Sequence, residues 1–259
     1  MSTSNTYEAA TSTAGTLRGA RRVATTRPQW RRTLSWMLQM QLAMGRWFWL
    51  AVVLLWVAAL VVVSLTPAGI ELSMLQFAAH GALWFPFAMM ITVAVAMITP
   101  HVAGGMTRRS FSIASLVSVG CVAAGNGLLL AVGLELEGVL YGALGWDHSH
   151  VANATDSAGV WEPWNEGFGV SWLSYTSRTA GGAVSGLLVG ATYYRYGGLR
   201  GTFALPLTVA PAILGQDYLA GVVGDAFDVS LLGLSLAALA LPVLAGVAFH
   251  RMIRTVPVR

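Results

Sequence analysis

The sequence predicts an all-α integral membrane protein with six transmembrane helices and both termini cytoplasmic, preceded by an amphipathic interfacial helix. Three observations carry this expectation. First, the 259 residues are 56% hydrophobic and only 10% charged, with a mean hydropathy of +0.65, which leaves too little polar surface to coat a soluble globule. Second, apolar runs at 47–66, 73–99, 111–134, 172–194, 201–219 and 229–250 each approach or exceed the ~20 residues a helix needs to cross the hydrocarbon core. They do not alternate as barrel strands would. Third, the charges are sorted. All 15 basic residues are arginine, and 14 of them cluster at 18–46, at Arg108 and Arg109, at Arg195 and Arg200, and from Arg251 to Arg259. Ten of the 11 acids lie in the alternate segments. Arginine-bearing connections are retained inside, so the chain crosses six times. The exceptions are Glu8, in the tail, and Arg178, in or beside a span.

Taken in order, residues 1–29 are rich in Ser, Thr, Ala and Arg and predict a disordered cytoplasmic tail. Arg21-Arg22 lacks the short apolar segment and cleavage site of an export signal, so the first span is read as a retained anchor. Residues 30–46 form the interfacial helix: Trp30, Leu34, Met37, Met40 and Met44 share one face, and Arg32, Ser35, Gln39 and Arg46 the other. The six-helix transmembrane domain then occupies 47–254, and 255–259 form a second cytoplasmic tail. Trp47, Trp49 and Trp56 open the first span, and Trp161, Trp164 and Trp172 precede the fourth, as interfacial belts do. The second span is long and carries Pro86, so it either kinks there or projects inward before Pro100. A short connection makes the first two spans a hairpin. Residues 135–171 form the large extracytoplasmic loop, with six acids and three tryptophans.

Several residues invite a functional reading. Gly182, Gly186 and Gly190 recur every fourth residue and predict close helix packing, within the bundle or across a dimer. Ser185 lies in Gly182-Ala183-Val184-Ser185-Gly186, which resembles the Gly-x-Ser-Gly of rhomboid proteases. Ala183 departs from that pattern, and His250 at the inner end of the sixth span is on the order of 13 Å away in depth, too far to act as a base. Asp147-His148-Ser149-His150 has metal-binding residue types without a further ligand in view, so no metal or other cofactor is expected. His80 and Asn126 are polar at membrane depth and either line a pathway or are hydrogen-bonded packing residues. Arg178, near the outer end of the fourth span, is within reach of Glu135, Glu137 or another outer acid as an ion pair, with substrate contact the other reading. Asn153-Ala154-Thr155 matches a glycosylation sequon, a signal that carries little weight if the source is bacterial.

Other functions are excluded or disfavoured. The single Cys121 supports neither a disulfide framework nor a thiolate metal site. Nucleic acid is not an expected partner, because the arginines flank apolar spans and report topology. Without lysine there is no Walker A motif, so any ATPase is a separate polypeptide and the chain is not itself an enzyme of that kind. The absence of lysine is compatible with a GC-rich bacterial genome, and the expected location is the bacterial cytoplasmic membrane.

The connection from Pro100 to Phe111 reads PHVAGGMTRRSF. Here the chain resembles the membrane subunits of type-2 ABC exporters, small bacterial permeases with a Gly-x-[Ser/Thr]-Arg-[Arg/Lys]-x-[Phe/Tyr] stretch in this loop. Gly105, Thr107, Arg108, Arg109 and Phe111 match, and Glu137 with Gly145-Trp146 is similar to the Glu and Gly-Trp that follow the third span in those permeases. The resemblance extends to the interfacial helix and the six spans, whereas the long loop between spans three and four departs from it. It implies two permease subunits, identical or different, docked on two ATPase subunits whose closure is relayed through inner elements. Arg31, Arg32 and the 105–111 residues would form the coupling surface, with Thr107 capping a helix, Arg108 and Arg109 pairing with ATPase acids, and Phe111 anchored in the bilayer. The alternative is a non-transporting scaffold or immunity protein acting through the acidic outer loop. A standalone channel or secondary transporter is disfavoured, because no mid-membrane acid is available for ion coupling.

Overall fold

The computed structural model describes residues 28–65, 72–150, 162–163, 167–214 and 231–256. The expectations that concern residues 1–27, Asn153, Trp161, Trp164, the outer ends of the fifth and sixth spans and residues 257–259 fall outside these. Helix α1 covers Gln29–Ser64. A 3-10 turn at Leu75–Phe77 leads into α2, Ala78–Ala96, and α3 follows at Ile98–Ala103. Helix α4 spans Arg108–Leu144. A two-residue ladder joins β1, Ser149–His150, antiparallel to β2, Glu162–Pro163. Then come α5, Phe168–Tyr196, the short α6 and α7 at Gly198–Phe203 and Leu205–Leu214, and α8 at Leu231–Arg254.

Four of these helices are long and apolar enough to cross a membrane: Gln29–Ser64, Leu75–Ala96, Arg108–Leu144 and Leu236–Arg254. The expected fourth span lies in α5, which has 29 residues but is diluted by Gly, Ser and Thr. It is not among the four, and its neighbours enclose it: every residue from Thr179 to Thr192 is buried. The run expected as the fifth span carries the shorter, 17-residue apolar stretch Gly198–Leu214, which is also not among the four.

Three boundaries differ from the sequence reading. The interfacial helix and first span are one unbroken helix of 36 residues, on the order of 54 Å long. Its buried face is Thr33, Met37 and Gln41 rather than the all-apolar stripe, and Met44 is exposed. The polar members are tolerated because the bundle supplies partners for both. The second span passes through Pro86 without a break and is interrupted instead at Met97, after which Pro100 sits in the first turn of α3, where its missing N–H costs nothing. Finally, α4 runs ten residues beyond its expected end, so Glu135 and Glu137 are helical and not in a loop. It stops at Gly145, whose φ of 70° is the left-handed conformation that glycine adopts without strain.

The glycine stripe sets the central packing. A Cβ on Gly182 would stand 2.7 Å from the Leu83 carbonyl oxygen, one on Gly186 would overlap the Phe87 carbonyl, and one on Gly190 would lie 2.8 Å from the Ile91 carbonyl oxygen. Both series advance by four in the same direction, so α5 and α2 run parallel with backbones in close approach. The stripe is used inside the bundle.

A second register links α1 to α4, which also run parallel. Gln41 exchanges two hydrogen bonds with Ser118, its Nε2 donating at 2.8 Å and its Oε1 accepting at 3.0 Å. Eight residues further along each helix, Trp49 Nε1 donates to Asn126 Oδ1 at 3.0 Å. At the far end Trp56 Nε1 donates to Glu137 Oε1 at 2.6 Å. The principal core lies below these contacts and gathers Met37, Met90, Ile98, Phe111, Leu187 and Phe249.

Candidate functional site

The 100–111 connection is built as a helix stop followed at once by a helix start. Met106 N–H donates to the His101 carbonyl at 3.2 Å, and Gly105 N–H donates to Val102 at 3.0 Å. This paired bonding around a left-handed residue closes α3, and Gly105 (φ 77°) supplies that residue. Thr107 then caps α4, its hydroxyl accepting from Ser110 N–H at 3.1 Å, as its position before the helix predicts. Thr107 N–H itself donates to the Gln29 side chain at 3.3 Å, tying the turn to the first residue of α1.

His101 fixes this turn from beneath. It is buried, with Nε2 3.2 Å from the Thr107 carbonyl oxygen and 3.0 Å from Ser110 Oγ, and Nδ1 3.5 Å from Thr33 Oγ1. A carbonyl only accepts, so the network assigns the proton to Nε2. Burial holds this imidazole below its ordinary value of 6.5, against the opposing pull of the Thr107 carbonyl. A neutral His101 therefore joins α1, α3 and α4 at one point.

Around this knot the structure gathers the arginines of the coupling expectation. Arg31, Arg32 and Arg109 are exposed and Arg108 is half-buried. Arg31 lies over the Trp30 ring, 5.4 Å from its centroid. Phe111 corrects the sequence reading: it is fully buried, edge-on to His101 at 5.3 Å, and so anchors the turn to the core instead of to lipid. The same end of the bundle carries further cross-helix ties. Ser112 Oγ meets His250 Nδ1 at 2.8 Å, Arg195 donates to Thr255 Oγ1 at 2.6 Å, and Thr99 meets Tyr194 at 2.9 Å. Ser185, in contrast, accepts from Ala212 N–H at 3.0 Å in a fully buried position, so Ser185 and His250 serve separate contacts.

The opposite end is organised by Glu137, which is fully buried. Its Oε1 accepts from Trp56 Nε1 and from the backbone N–H groups of Met74 and Leu75, both at 3.1 Å. Its Oε2 accepts from Ser73 Oγ and lies 3.4 Å from His148 Nε2. An acid on α4 thus satisfies the unpaired N–H groups where the second span begins, with the positive end of that helix facing the carboxylate. His148 brings the segment that follows α4 with it, and Ser73 N–H donates to the Ser149 carbonyl at 2.8 Å. Trp146 packs edge-on against Tyr141.

The remaining expected site residues are dispersed. His80 is exposed on the side of α2. Asn126 is a packing residue through Trp49. Arg178 stacks over Tyr175 at 5.1 Å, while Glu135 is exposed and the groups engaging Glu137 are those named above, so the expected Arg178 pairing with Glu137 is replaced by a helix-capping role for the acid. Among the described residues no three His, Cys, Asp or Glu side chains converge as a metal site would require. His101 and Gln41 were not singled out by the sequence pattern, and Trp56, expected in an interfacial belt, instead donates to the buried Glu137. A polar residue on the inward face of an otherwise apolar helix is the signal that points to the first two.

Compared with models of known protein families, with curated proteins and with solved structures, the chain has no match.

Proposed function

We propose that this chain is the permease subunit of a bacterial ABC exporter, crossing the cytoplasmic membrane six times with both termini inside and forming the translocation pathway as a homodimer or heterodimer on separate ATPase subunits. The observation that carries this reading is the Thr107 turn. It leads into Arg108 and Arg109, and it is knotted through His101 and Gln29 to the starts of α4 and of α1, the helix that carries Arg31 and Arg32. A relay has to be rigid where a partner pushes and continuous with the elements that must move. Here a force on the turn reaches two helices, each about 54 Å long. Guanidinium groups are suited to paired contacts with carboxylates on a partner surface. The buried Glu137 does not weigh towards ion coupling, since its two oxygens are already occupied by donors from Trp56, Ser73, Met74 and Leu75.

The test is site-directed cross-linking in a Cys121→Ser background. A cysteine replacing Ala103, exposed at the end of α3 beside the turn, is expected to cross-link to a nucleotide-hydrolysing subunit in native membranes and to react with membrane-impermeant maleimide only from the cytoplasmic side. Labelling from the outside would overturn both the topology and the coupling role.

A further inference from the structure

The ring of His101 sits where an added proton meets nothing to neutralise it. It is buried at the point where α3 ends and α4 begins. Nε2 faces the Thr107 carbonyl and Ser110 Oγ, at the first turn of α4, and Nδ1 faces Thr33 Oγ1, in the second turn of α1. Each of those helix starts is the positive end of a row of peptide dipoles. The charged side chains that these two helices carry here are positive as well: Arg31 and Arg32 precede Thr33 on α1, and α4 opens with Arg108 and Arg109. From the other packed elements come Tyr194 of α5, bonded to Thr99, and His250 of α8, bonded to Ser112. The acids among the described residues, Glu135, Glu137, Asp147 and Glu162, all lie towards the other end of the bundle.

In the neutral ring Nε2 carries the hydrogen and Nδ1 accepts from Thr33. A second proton turns Nδ1 into a donor, and the Thr33 hydrogen must then turn to the Gln29 carbonyl, 3.2 Å away, or to Met106 Sδ at 3.7 Å. The hydrogen bonds can be rearranged in this way, but the charge is not answered. Burial opposes it, and the Thr107 carbonyl alone favours it. The route to solvent is short, because Ala103, Gly104 and Gly105 beside the ring are exposed. A ring that leaves by that route gives up Thr107, Ser110 and Thr33 together. The ties then left between the start of α1 and the turn are weak. One is the exposed 3.3 Å contact of the Gln29 side chain with Thr107 N–H, which water can replace, and the other is the Thr33 hydroxyl on the Met106 sulfur.

We infer that His101 is an acid-sensitive latch: on gaining a second proton its ring leaves this pocket, and the start of α1 separates from the Thr107 turn. The latch is closed above the ordinary imidazole value of 6.5 and opens as pH falls below it, because burial makes the released ring the better proton acceptor. Its regulatory meaning rests on the coupling role proposed above, since opening would disconnect α1 from the turn that leads into Arg108 and Arg109 and so stop ATP-driven transport. The latch itself needs no partner.

Spin labels replacing Ser35 on α1 and Ala103 at the end of α3, both exposed, test it in the full chain with Cys121→Ser. Electron paramagnetic resonance is expected to give one short distance at pH 8. A second, longer distance is expected to grow as the pH is lowered to about 5 and to vanish on return to pH 8. His101→Gln keeps a donor for the Thr107 carbonyl and gains no charge, so it is expected to hold the short distance throughout. A distance that ignores pH in the chain with His101, or that changes equally in His101→Gln, would overturn the latch. Ring nitrogen shifts of His101 in the unaltered chain give a check that needs no substitution at the ring. Protonation below 6.5 in step with the longer distance supports the inference, and protonation without it contradicts it. Both readouts use the isolated chain, so an ATPase that never binds would sink the permease reading and leave them unchanged.

Discussion

Glu137 accepts a hydrogen bond from the backbone N–H of Leu75 at 3.1 Å, so the start of one span is capped by an acid carried on another. Replacing that acid leaves several buried donors unanswered at once. Glu137→Ala is expected to lower stability by roughly 3 kcal/mol, and Glu137→Gln, which keeps an accepting oxygen, by roughly 1 kcal/mol. Thermal unfolding in detergent measures both. Equal stability for the two variants would show that the cap does not depend on the acceptor.

Close approach of α5 and α2 depends on the absence of a side chain at Gly186, where a Cβ would overlap the Phe87 carbonyl. Gly186→Val is expected to destabilise by roughly 1–3 kcal/mol, because backbone cannot move aside as a flexible side chain would. Gly120 has open space around its position, so Gly120→Ala is expected to leave stability unchanged or slightly improved. The paired melting curves separate a packing requirement from a general intolerance of substitution.

The reciprocal bonds between Gln41 and Ser118 predict a favourable coupling energy of about 0.6–1.7 kcal/mol in a double-mutant cycle of Gln41→Leu and Ser118→Ala. A coupling of zero would mean that each residue finds an equivalent partner alone.

His101 makes the turn sensitive to acid. Burial lowers its pKa in the folded chain, so below the ordinary value of 6.5 the unfolded state takes up protons that the folded state resists. Its contribution is therefore fully present above that value and declines as pH falls through it towards the folded pKa. Amide exchange at Thr107 to Ser110, corrected for intrinsic rates, is expected to accelerate between about pH 8 and about pH 5. His101→Gln should remove this pH dependence, and an unchanged profile in that variant would assign it elsewhere.

Much of the helical layout was legible because apolar run length reports directly on what a bilayer tolerates, and four helices are long and apolar enough to cross one. Thr107 was readable as a cap, and the glycine stripe as a contact, because both signals are local. The end of α4 was not: two glutamates read as solvent-facing, and only the distant Ser73–Leu75 segment makes Glu137 a buried residue. Phe111 was misplaced for a related reason. An aromatic at a helix start suits a headgroup belt or a core equally well, and His101 and Met37 decide for the core. The interfacial helix and the first span were read as separate elements because hydropathy rises after Trp47, whereas one helix runs from Gln29 to Ser64, and Thr33 and Gln41 are held through partners no single-helix pattern reveals.

The coupling role of the Thr107 turn is tested most directly by isolating the full chain from its own membrane in mild detergent and measuring ATP hydrolysis in the preparation. The account predicts that a separate ATPase accompanies the unaltered chain with transport-coupled activity. It also predicts that Arg108→Glu with Arg109→Glu abolishes that coupling while topology and thermal stability are kept. An ATPase that never co-purifies, or coupling undiminished in the double variant, would contradict it.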